Sequence, residues 1–140
     1  MRVLVVEDSR MLRIAMERSM SKAGYEVTAV GDGQEALTVA QQLHPDVILL
    51  DMMLPTLEGT GVLRHLKRDP ATKLIPVIVL SGLSQKNEKK LKLAGASAYF
   101  EKSKLDLDNN SGSLIEMVRK LLPEGNAPAT ENAQGAASRH

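Results

Sequence analysis

Five short apolar runs, at residues 3–6, 27–30, 47–50, 77–80 and 98–100, punctuate this chain. Three of them are continuous, not alternating, which suits strands of a parallel sheet covered on both faces. The second run holds Thr28, is more amphipathic, and reads as an edge strand. Helical patterns fill the gaps. In the first, Leu12, Ala15, Met16 and Ala23 share a face and Gly24 supplies the stop. In the second, Asp32 is placed to cap, with Glu35 three residues on as a capping box. Ala36, Leu37, Ala40 and Leu43 form its apolar face, and Pro45 ends it. The third carries Val62, Leu63 and Leu66 and stops before Asp69-Pro70. The fourth runs from about 84 to 94 and ends at Gly95. The fifth carries Leu114, Ile115, Val118, Leu121 and Leu122, before Pro123. Crossovers of this length join parallel strands, so the expected fold is (βα)₅, a three-layer α/β sandwich.

The length of 140 residues leaves room for one domain and a short appendage. The domain is expected over residues 1–122. Residues 123–140 turn polar and small, so they read as a disordered tail or the start of a linker. With 43% hydrophobic and 25% charged residues, the chain is neither wholly disordered nor collagen-like. Tyr25, Tyr99 and Phe100 are its only aromatics, so the core is expected to be aliphatic and a stacking platform for single strands is not expected. A net charge of +1 gives no bulk pull toward nucleic acid or a membrane, and direct nucleic-acid binding is not expected. Without Cys there are no disulfides, thiolate metal sites or Cys nucleophiles. No apolar run reaches the roughly 18 residues of a membrane span, and Met1 to Asp8 lacks signal-peptide character. A cytoplasmic location is expected.

The polar residues after the strands carry the functional signal. The first strand ends at Glu7-Asp8, the third at Asp51, the fourth at Ser81-Gly82 and the fifth at Lys102. In an open α/β sheet these positions share the carboxyl edge, where such folds bind ligands. Each residue alone has an ordinary explanation, since Asp8 or Ser9 could cap the first helix and Ser81 the fourth. Together, three crowded carboxylates repel, and at neutral pH they call for raised pKa values or a bound cation. An all-oxygen ligand set favours Mg²⁺ over a softer metal.

The order and spacing of these stretches resemble the receiver domain of bacterial two-component response regulators, over residues 1 to about 122. The matching pieces are Val3-Leu4-Val5-Val6-Glu7-Asp8, Asp46-Val47-Ile48-Leu49-Leu50-Asp51-Met52-Met53-Leu54-Pro55 with Gly59, Pro76-Val77-Ile78-Val79-Leu80-Ser81-Gly82, and Gly95-Ala96-Ser97-Ala98-Tyr99-Phe100-Glu101-Lys102. The resemblance implies a flavodoxin-like strand order of 2-1-3-4-5. It makes Asp51 the phosphate-accepting residue. It assigns Mg²⁺ to Glu7, Asp8, Asp51 and the Met53 carbonyl, the phosphoryl-bonding hydroxyl to Ser81, and the pairing lysine to Lys102. Tyr99 becomes the aromatic switch that swings inward, while Pro55 and Gly59 shape the turn and helix start after the acceptor. Gly82 leaves room beside Ser81. The implied phosphodonor is a sensor histidine kinase or a histidine phosphotransfer protein. The implied output is a downstream protein or a homodimer formed through the face of the fourth helix, fifth strand and fifth helix. Such a chain is a switch, not an enzyme, beyond self-phosphotransfer and self-dephosphorylation.

The chain departs from the family pattern at Ser103, where Pro in a cis bond is usual. A trans Lys102–Ser103 bond and a long following loop are expected there. Met53 and Leu83 cannot orient an attacking water, which implies slow self-catalysed dephosphorylation. Two other functions compete. A haloacid-dehalogenase-like phosphatase would want a second Asp at the position of Met53, and a cap domain. A phosphorylation-independent docking module would tend to lose some of the acidic, hydroxyl and lysine residues retained here. A flavin site fits poorly, since Glu7-Asp8-Ser9-Arg10 is acidic where a phosphate loop would not be. Lys86, Lys89, Lys90 and Lys92 read as a solvated helix face. His44 and His65 read as surface or packing residues. The seven Met residues read as core filler, with Met11, Met16 and Met20 at helical spacing.

Overall fold

In the computed structural model, residues 1–52, 59–82, 92–102 and 112–122 are described. In chain order they form β1 (Arg2–Val6), α1 (Arg10–Lys22), β2 (Glu26–Val30), α2 (Gly33–Leu43), β3 (Val47–Asp51), α3 (Gly59–Arg68), β4 (Val77–Ser81), β5 (Ala98–Glu101) and α4 (Gly112–Leu121). The last of these is the fifth helical pattern of the sequence. The fourth pattern falls mostly outside the described residues; of its described part, Lys92 and Leu93 are helical.

All strands pair in parallel, in the order β2-β1-β3-β4-β5. The continuous apolar runs are the three central strands, and β3 and β4 are buried at every position. β2 lies at one edge and is only half-buried over Val27 to Ala29, as its Thr28 implies. Period-2 alternation sorts the strand residues between two cores. Val3, Val5, Val47, Leu49, Ile78, Leu80 and Phe100 pack with Met16 and Met20 of α1 and Leu114 and Val118 of α4. Leu4, Val6, Ile48, Leu50, Val77, Val79 and Tyr99 pack with Ala36 and Ala40 of α2 and with Val62, Leu63 and Leu66 of α3. The three-layer sandwich follows from that sorting.

The helix ends are set by local chemistry. Ser9, not Asp8, caps α1: its Oγ accepts the Leu12 N–H at 3.3 Å. Asp32 caps α2 by accepting the Glu35 N–H at 2.8 Å. α2 ends with His44 at φ 50°, a left-handed position that the sequence marked only by the following Pro45. Gly24 and Gly95 take φ of 99° and 113°, which L side chains rarely adopt. One expectation needs correction. Met16 and Met20 are fully buried, but Met11 is 75% exposed. Residues five apart sit about 140° around a helix, so Met11 cannot share the face of Met16.

Candidate functional site

The carboxyl ends of β1, β3, β4 and β5 converge on one rim. Glu7 extends the β1 ladder by donating its N–H to the Val30 carbonyl at 3.0 Å. By strand alternation Glu7, Asp51 and Lys102 continue the side that faces α1 and α4. Ser81 and Tyr99 continue the side that faces α2 and α3. The sheet thus sends the charged groups to one side of the rim and the hydroxyl and aromatic groups to the other.

Glu7, Asp8 and Asp51 each offer a carboxylate oxygen, and these atoms lie within 4.8 Å of one another. Glu7 and Asp51 are buried, whereas Asp8 faces solvent. Lys102 reaches across β4 to both buried acids. Its Nζ lies 3.2 Å from Asp51 Oδ2 and 3.1 Å from Glu7 Oε1, and it donates to Glu7 Oε2 at 3.3 Å. The Ser9 N–H also donates to Glu7 Oε2, at 3.0 Å. The contact to Glu7 Oε1 is poorly aligned, so that buried oxygen accepts no hydrogen bond.

The electrostatics follow from this crowding. Burial pushes the Glu7 carboxyl up to about 7, opposed by the Ser9 N–H and reinforced by the charge of Asp51. Burial alone would lower Lys102, but its hydrogen bond to Glu7 and the charges of Glu7 and Asp51 outweigh that and raise it. A single ammonium partly neutralises the acids, and Glu7 Oε1 meets that ammonium without a hydrogen bond. The short carboxylate spacing and the purely oxygen donor set fit a hard divalent cation such as Mg²⁺. Glu7, Asp8 and Asp51 would hold it.

The other anticipated residues are placed as follows. Ser81 is buried, one residue beyond Leu80, the register partner of Asp51. Tyr99 is 8% exposed, so its ring already lies inward. Among the described residues, a Cβ on Gly82 would meet nothing within 4 Å. Gly59 is the reverse. A Cβ there would lie 2.5 Å from both the Asp51 carbonyl oxygen and Met52 Cα, so only glycine lets α3 start against the end of β3. Met53, Pro55, Leu83, Ser103, Lys86, Lys89 and Lys90 lie outside the described residues. His44 and His65 are exposed, and His65 Nδ1 lies 2.8 Å from the Gly61 carbonyl of its own helix. The sequence did not announce Arg13. Its Nη1 donates to the Glu7 carbonyl at 3.0 Å, and its place one turn into α1 after the acidic pair was the available signal. No helix among the described residues is long and apolar enough to cross a membrane.

Comparisons with known proteins agree with this geometry. "Response regulator MprA" of Mycobacterium avium is 35% identical over 128 residues, covering 91% of this chain and 55% of that protein. The chain spans about half the length of several such relatives, between 53% and 56%. Among solved structures, the chemotaxis response regulator CheY4 of Vibrio cholerae superposes with a TM-score of 0.77 at 29% identity, covering 86% of this chain and 98% of that one. The Mn²⁺-bound form of response regulator Rcp1 gives a TM-score of 0.75 at 26% identity, covering 91% and 99%. The model of the response regulator receiver domain matches residues 3–109. The chain therefore belongs to the response regulator receiver domain family, the signalling-switch domain of two-component systems.

Proposed function

We propose that this chain is a phospho-accepting switch in which Asp51 takes a phosphoryl group from a phosphohistidine. A carboxylate oxygen of Asp51 attacks phosphorus, the P–N bond breaks, and the bonding pair leaves with the imidazole. The observation that carries this is the Lys102 ammonium held 3.2 Å from the buried Asp51 carboxylate on a rim that also holds Glu7 and Asp8. Mg²⁺ bound by Glu7, Asp8, Asp51 and the Met53 carbonyl would supply positive charge for the transferring group. Lys102, in contact with both Glu7 and Asp51, supplies further positive charge.

The Ser81 hydroxyl bonds the phosphoryl group once it forms, and the space it leaves favours the inward Tyr99 ring. Because that ring is already buried without phosphate, modification acts by changing the population of an existing state. The donor is a sensor histidine kinase or histidine phosphotransfer protein. The output is a contact with a protein partner or a second copy, through the surface of Lys92, Leu93, β5 and α4. Leu93 is 82% exposed there. With Met53 two residues after Asp51 and Leu83 two after Ser81 in the sequence, neither able to orient an attacking water, self-dephosphorylation is slow, and the chain works in the cytoplasm.

Intact mass after incubation with a small acyl phosphate tests the proposal. Wild type gains a single phosphoryl adduct that requires Mg²⁺, and Asp51→Asn gains none. An adduct that persists in Asp51→Asn, or none on folded wild type, contradicts it.

A further inference from the structure

We propose that Arg13 is a positioning residue that aims the acidic pair, by holding the carbonyl of Glu7 where the sheet no longer can. This rests on Glu7, Asp8 and Asp51 forming a cation site. Glu7 is the last residue of the β1 line, and its N–H still bonds to Val30 O of β2. In a parallel ladder, the next donor to the Glu7 carbonyl would come from β2 two residues further on, at residue 32. β2 has already ended at Val30, and Asp32 has turned away to cap α2. The Arg13 guanidinium takes the vacated place, with Nη1 3.0 Å from Glu7 O. Gly31 makes the room: a Cβ on it would fall 2.9 Å from that Nη1. The Arg13 backbone is tied down as well, its N–H bonding to Ser9 O at 2.8 Å.

The consequence reaches Asp8. The Glu7 carbonyl and the Asp8 N–H belong to one rigid peptide plane. Holding the oxygen fixes the direction in which the chain leaves Glu7, and therefore where the exposed Asp8 carboxylate points. Among the described residues, the Asp8 side chain has no hydrogen bond of its own to do this. Glu7 needs the same tether, because its carboxylate is anchored to the Ser9 N–H of the same turn at 3.0 Å. Outer contacts of this kind matter to metal affinity as orienters of the ligands they touch.

The sign of the effect separates positioning from charge. Arg13 is permanently cationic. If it acted on a bound cation only through its field, removing it would tighten Mg²⁺ binding. If it positions the ligands, removing it weakens binding. Calorimetric titration of the full chain with MgCl₂ distinguishes the two, alongside the melting temperature of each variant without Mg²⁺. Arg13→Met is expected to weaken Mg²⁺ binding about tenfold, with a melting temperature close to wild type. Arg13→Lys, which keeps a donor, recovers part of the loss. Gly31→Val leaves Arg13 in the sequence but fills its seat, and weakens binding in the same direction. Unchanged or tighter binding in Arg13→Met and Gly31→Val, with wild type binding normally, overturns the proposal. Wild type that binds Mg²⁺ no better than Asp51→Asn overturns the cation site, and the role of Arg13 with it.

Discussion

At the amino edge of the sheet, the Arg2 N–H donates to Asp46 Oδ2 at 2.7 Å and the Asp46 N–H returns a bond to Arg2 O at 2.8 Å. Arg2 Nη1 holds the Leu43 carbonyl at the end of α2, and the buried Thr72 hydroxyl donates to Leu66 O at 2.7 Å. Burial lowers the Lys67 ammonium, yet it donates to Lys73 O and Ile75 O at 3.1 and 2.7 Å. Across the sheet, the carboxyl edge buries Glu7 and Asp51 beside each other, with one lysine between them and one oxygen without a hydrogen bond. These amino-edge groups are satisfied locally, whereas the carboxyl edge holds like charges in conflict. Conflict of that kind persists where another partner is meant to relieve it.

Ranked by effect, substitutions at the two edges sharpen this contrast. Gly59→Ala strikes the backbone at the end of β3, and urea denaturation should show a loss of about 3 kcal/mol or more. Less than about 1 kcal/mol would mean that α3 does not rest on the end of β3 as described.

Glu7 should give the next largest effect, through pH. Its folded pKa, about 7, lies above the ordinary 4.5 that the unfolded chain keeps. Between those values the unfolded chain binds fewer protons, so stability without Mg²⁺ falls as pH rises from 4.5 to 7. The total is on the order of 3 kcal/mol, and Glu7→Gln should flatten the slope. A slope that survives Glu7→Gln would assign it to other groups.

Thr72→Val tests the quiet edge, where a buried bond to Leu66 O is lost. Thermal melts should show a cost of about 1–2 kcal/mol that does not change with Mg²⁺. Any dependence on Mg²⁺ would couple the two edges, against the contrast. Gly82→Ala should be the mildest. Its Cβ meets nothing among the described residues, so stability changes by less than about 0.5 kcal/mol while acyl-phosphate labelling of Asp51 shows whether that space serves the phosphoryl group. A larger loss would mean the space is filled.

Much of this was legible in the sequence because its physics is local or periodic. Continuous apolar runs marked the central strands, Thr28 marked an edge strand, and Asp32, Gly24 and Gly95 marked helix ends, while the first cap was left between Asp8 and Ser9. The rim residues were legible because strand ends in such a sheet share an edge. What stayed hidden depends on contacts between distant segments. Nothing in the string shows Lys102 reaching past β4 to both acids, or Arg13 seated over Gly31. Gly59 resembled a helix-start residue, but its necessity comes from the β3 backbone beneath it. Met11 misled because methionine suits a core and a five-residue step was counted as helical spacing. His44 ends α2 in a left-handed turn where glycine is the usual signal.

The central claim is that the carboxyl edge is an unresolved charge cluster that a divalent cation completes. Thermal unfolding at pH 8, with and without MgCl₂, tests it most directly on wild type, Glu7→Gln and Asp51→Asn. The account predicts that Mg²⁺ at about 100 times its Kd stabilises wild type by about 3 kcal/mol and that both variants lose most of this gain. Wild type that does not respond to Mg²⁺, or variants that respond as fully as wild type, would contradict it.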